Sequence, residues 1–82
     1  MTNKRKHQLE RMVRKEYRHF IGIIYPKELA LDLLEHITML FCDKIELLKF
    51  NREVTLCEAN FMHYCAIKYY VYYIKIICSY FD

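Results

Sequence analysis

The sequence predicts an all-helical fold. One Gly and one Pro among 82 residues are too few for a many-turned β architecture, whose tight turns draw on those residues. Apolar residues recur at three-and-four spacing over long uninterrupted stretches. A hydrophobic share of 55% beside a charged share of 28% excludes intrinsic disorder. A chain this short makes one domain and buries only about 60% of the surface its unfolded form exposes, which leaves no room for an elaborate catalytic cleft. It also leaves more apolar surface than one small core can take in.

The first periodic segment carries Leu9, Met12, Val13, Tyr17, Phe20 and Ile21 on one face of a helix. Gly22 can take the left-handed conformation that closes it, and Pro26 suits the first turn of the next helix, so Gly22 to Tyr25 reads as the connection. Residues 1–8 precede the periodicity and read as a basic tail, with residues 9–82 as the folded domain.

Nothing interrupts the pattern from Pro26 to Phe50, a rod of about 36 Å at the helical rise. Ala30, Leu34, Ile37, Phe41, Ile45 and Leu48 form one apolar ridge, and Leu29, Leu33, Leu40 and Leu47 a second beside it. Glu28, Asp32, Glu35, Asp43 and Glu46 form a narrow polar stripe. Flanking helices cover one side of such a rod; the second side asks for a partner chain. The expected partner interface is Leu33, Leu34, Ile37, Leu40, Phe41, Ile45 and Leu48.

Asn51 to Val54 breaks the rod, with Asn51 suited to a left-handed cap. Thr55 and Glu58 have the spacing of a capping box, in which each side chain bonds the other residue's backbone N–H, so a helix starts there and runs to Ala66. Ile67 to Phe81 contains no breaker. Its Tyr, Val and Ile favour strand, but a lone strand would have no partner within the chain, and it is expected as a C-terminal helix. Phe61 to Phe81 is near the length of a bilayer span, and a tail-anchored membrane peptide is one alternative. Lys68 and Lys75, each costing about 2.5–3.5 kcal/mol at a membrane centre, and the abundance of Tyr argue against it.

Catalytic and metal chemistry find little support. Cys42, Cys57, Cys65 and Cys78 form no CxxC pair, so neither a disulfide framework nor a structural zinc site is expected. Cys57, His63 and Cys65 on one helix lack the base geometry and oxyanion donors of a thiol enzyme, and one Gly cannot build a phosphate loop. No enzyme activity and no cofactor are expected. Charge is uneven: the first 18 residues carry seven basic side chains against two acids, the remainder six against eight. Lys4, Arg5, Lys6, Arg11 and Arg14 are the candidate nucleic-acid contacts.

The order of a short helix, a long central helix, a short helix and a C-terminal helix resembles the histone fold. Arg52-Glu53-Val54-Thr55-Leu56-Cys57-Glu58 is similar to that fold's second loop, where an arginine pairs with an acid in the next helix; the resemblance gives those roles to Arg52 and Glu58. Leu33-Leu34-Glu35-His36-Ile37-Thr38-Met39-Leu40-Phe41 resembles the I-L-E-D-L-V-I-E-F segment of the histone-fold TBP-associated factors of the subunit-thirteen kind, related to Spt-three-type SAGA subunits, and Pro26 matches their loop proline. Two stretches depart: Gly22 to Tyr25 stands where the family has an acidic loop, and Ala66 to Tyr70 where it has an I-R-x-D-P turn.

The resemblance implies a nuclear subunit of TFIID, in the RNA polymerase II preinitiation complex, heterodimerised with a subunit-eleven-like histone-fold partner and touching DNA weakly or indirectly. A centromere or DNA-repair histone-fold protein that binds DNA directly is the alternative from another class.

Overall fold

The computed structural model describes residues 1–18 and 26–81. It contains three helices, α1 (Asn3–Glu16), α2 (Lys27–Phe50) and α3 (Leu56–Phe81), and no strand among the described residues. The all-α class is the one expected. The Gly22–Tyr25 connection, with Phe20 and Ile21, lies outside the described residues.

Helix α1 starts earlier than its apolar periodicity. The Thr2 hydroxyl accepts from the Arg5 backbone N–H at 3.1 Å, an N-cap that satisfies one orphan donor of the first turn. Most of the expected tail is therefore helix. Leu9, Val13 and Tyr17 are fully buried on its inner face.

Helix α2 ends in a Schellman motif. The Glu53 N–H donates to the Leu48 carbonyl at 2.9 Å and the Arg52 N–H to that of Lys49 at 3.1 Å, the two bonds that satisfy a helix C-terminus when the chain turns left-handed. The left-handed residue is Arg52, with φ of 60°, rather than Asn51, whose φ of −79° keeps it on the helical side.

Helix α3 starts at the expected capping box: the Thr55 N–H donates to Glu58 Oε1 at 2.8 Å and the Glu58 N–H to Thr55 Oγ1 at 3.1 Å. It then runs 26 residues without the division expected near Ala66. No Gly or Pro follows Thr55, and Tyr, Val and Ile accept a helix when one face is packed.

The short connection turns α3 back along α2, where the two share most of their length. Helix α1 lies mainly on α3 and runs in the same direction: Arg5 reaches Glu58, Arg14 reaches Tyr69 and the Tyr17 hydroxyl reaches the Ala66 carbonyl. One core, including Leu9, Val13, Tyr17, Leu34, Phe41, Ile45, Met62, Ala66 and Ile77, joins the three. The molecule measures 41 × 23 × 16 Å with a radius of gyration of 13.7 Å; a globule of this length would have about 12 Å. So elongated a body covers its long helices incompletely.

Candidate interaction surface

The two ridges of α2 separate in space. Ala30, Leu34, Phe41 and Ile45 are buried, with Ile37 and Leu48 packed beside them. They form the protein's own core, which corrects the assignment of Leu34, Ile37, Phe41, Ile45 and Leu48 to a partner interface. Four of the seven expected interface residues fill the space against α3 and α1, and Leu48 does so at the rim. The reason is the length of α3, which covers the first ridge almost from end to end.

The second ridge is open. Leu29, Leu40 and Leu47 are 50%, 55% and 58% exposed, and Leu33 is half-buried. With His36, Asp43 and Phe50 they repeat at alternating spacings of four and three, the seam of a helix prepared to pack against another helix. Met39 and Phe50, at 61% and 83% exposure, widen it. Along one border stand Glu28, Asp32, Glu35 and Glu46. Only Glu46 is neutralised among the described residues, by Lys49 Nζ at 2.8 Å and His63 Nε2 at 3.0 Å. Those two bonds, Lys49 first, hold its carboxyl below the usual range. Of the residues assigned to the interface, Leu33 and Leu40 belong to this face; Leu29 and Leu47 stand in the second ridge, and only their exposure separates them from the first.

Arg52 and Glu58 do not pair. Arg52 is exposed and occupied as the left-handed residue of the α2 cap. Glu58 Oε2 accepts from Arg5 Nε instead, and this bond, with the Thr55 N–H, holds its carboxyl below the ordinary value. A cation 53 positions away leaves no local motif to find it by.

The candidate nucleic-acid residues divide. Arg5 is committed to Glu58 and Arg14 donates to the Tyr69 hydroxyl at 3.1 Å, whereas Lys4, Lys6 and Arg11 are exposed. Cys57, His63 and Cys65 do not converge: Cys57 is exposed, Cys65 is buried, and His63 bonds Glu46. Burial pushes the Cys42 and Cys65 thiols up, away from the thiolate that reactivity needs. Among the described residues no group of three or more His, Cys, Asp or Glu could hold a metal ion.

The outer face of α3 was not singled out by its periodicity. Tyr64, Ile67, Lys68, Val71, Tyr72 and Lys75 line a shallow open groove, continued by Ile76, Ser79 and Tyr80. It is too open to enclose a small ligand. Among the described residues no helix is long and apolar enough to cross a membrane, so α3 is not the bilayer span considered for residues 61–81; its lysines and tyrosines keep its mean hydropathy low.

No family model matches this chain, and no curated protein and no solved structure matches it either.

Proposed function

We propose that this chain is a non-enzymatic interaction module that works by seating a helix of a second protein along α2. The observation that carries the reading is the half-exposed row of Leu29, Leu40 and Leu47 beside a ridge on the same helix that is turned into the core. An apolar row of this length, rimmed by polar residues, marks a docking surface. The acidic border at Glu28, Asp32 and Glu35 suits an occupant with leucines at the same spacing and Lys or Arg along its edge.

The finer reading is a TFIID subunit in the nucleus, heterodimerised through a histone fold with a subunit-eleven-like partner. In its favour are the resemblance of residues 33–41 and a long α2 that offers leucines to a partner. Against it stand the undivided α3, the parallel packing of α1 on α3 and the pairing of Glu58 with Arg5. The broader docking reading does not depend on it.

Affinity capture of the tagged chain from its own cell, in wild-type and Leu40→Asp/Leu47→Asp forms, tests both levels. A stoichiometric partner lost only with the double variant, whose helicity and melting match wild type, is the expected result. A histone-fold chain among the captured proteins supports the finer reading. Capture indifferent to the double substitution sinks the α2 surface.

A further inference from the structure

Helix α1 carries a second surface, independent of α2. Lys4, His7, Arg11 and Lys15 follow one another at spacings of three and four, so they share one face of α1 in a row about 17 Å long, and Arg18 follows just beyond the end of the helix. All five are exposed. None has an ion pair among the described residues, whereas Arg5 pairs with Glu58, Lys44 with Glu16, Lys49 with Glu46 and Lys68 with Glu10. Both acids of α1 are turned away from the row, Glu10 toward Tyr69 and Lys68 and Glu16 toward Lys44.

We infer that this row binds the phosphate backbone of double-stranded nucleic acid. The row presents no apolar side chain; Leu9, Val13 and Tyr17 are wholly buried, and Met12 is the one exposed apolar side chain of α1, too little to insert into a lipid surface. Its attraction is electrostatic and suits a linear polyanion. Its Lys and Arg charges suit phosphate oxygens, which carry no sequence information, so the binding is indifferent to sequence.

The test is fluorescence anisotropy of the full chain with a labelled DNA duplex of about 20 base pairs, titrated between about 50 and 200 mM salt. Four phosphates neutralised by Lys4, Arg11, Lys15 and Arg18 give a log–log slope near −3.6, roughly a 150-fold loss of affinity over that range. Arg11→Gln and Lys15→Gln should each flatten the slope by about 0.9 with unchanged thermal melting, and Lys75→Gln, on the outer face of α3, should leave it unaltered. A scrambled duplex should bind equally. Absence of binding at low salt, or an equal effect of Lys75→Gln and Arg11→Gln, overturns the proposal. Salt-sensitive self-association without DNA binding also overturns it and assigns the row to the acidic border of a second copy.

Discussion

Glu58 ties Arg5 to the start of α3: one carboxylate oxygen accepts from the Thr55 N–H and the other from the Arg5 guanidinium. Two helices running in the same direction place their positive dipole ends side by side, and this carboxylate lies where both need an anion. Arg5→Ala and Glu58→Ala should each lower the melting temperature, and the double variant should fall little further than the worse single one, the signature of a shared interaction. Arg52→Ala should not reproduce the loss. A double variant whose loss equals the two single losses added together would show that the residues act separately.

The same carboxylate sets an acid limit. Arg5 and then the Thr55 N–H lower its pKa, so its contribution to stability is complete above the ordinary glutamate range, near 4.3, and is lost as pH falls through the folded value. Glu46, lowered by Lys49 and His63, follows the same sign. Stability measured by urea unfolding should therefore decline below about pH 4.3. Glu58→Gln should flatten that decline, and a profile that it leaves unchanged would place the acid sensitivity elsewhere.

Arg52 is the left-handed residue of the α2 cap, a conformation that costs an L-residue about 1–2 kcal/mol and glycine much less. Arg52→Gly should stabilise the protein by about 0.5–1 kcal/mol after the added freedom of its unfolded chain is set against the relief. In a domain of this size that raises the melting temperature by roughly 2–8 °C. A fall on substitution would mean that the arginine side chain makes a compensating interaction.

Tyr17 is where the three helices meet. Its hydroxyl lies 2.9 Å from Thr38 Oγ1 and 3.2 Å from the Ala66 carbonyl, and its ring stacks on Tyr69 and Tyr73. Burial pushes its phenol up and keeps it neutral. Tyr17→Phe keeps the stacking and removes the hydrogen bonds, a loss of about 1 kcal/mol; Tyr17→Ala removes both and should cost several times more. Equal losses for the two variants would show that the hydroxyl, not the ring, holds the junction.

Much of the fold was legible in the residues, because helix periodicity and caps are local. The α2 span, the Thr55–Glu58 box and the inner face Leu9, Val13 and Tyr17 all follow from spacing. What was not legible depended on chain-distant geometry. Nothing local joins Arg5 to Glu58, and Arg52 at the end of a helix resembles a cation seeking an acid until the backbone shows it turning left-handed. The two ridges of α2 are equally apolar, so only the placement of α3 distinguishes Leu34 and Phe41, now core, from Leu40 and Leu47, now surface. The division expected at Ala66 failed because no residue there breaks a helix.

The packing of α1 has a kinetic consequence. Helices α2 and α3 are joined by five residues, 51–55, and can zip together from that turn, whereas the contacts of α1 to α3 span 49 to 59 positions and require closure of more than half of the chain. Such closure costs entropy before any contact repays it, so α1 should dock after the rate-limiting step. Substitutions at Leu9 or Val13 should then speed unfolding and leave refolding almost unchanged, while those at Ile45 or Met62 should slow refolding. In stopped-flow chevrons the two helices of the hairpin would behave as the nucleus, and α1 as the latch that sets how long the native state lasts.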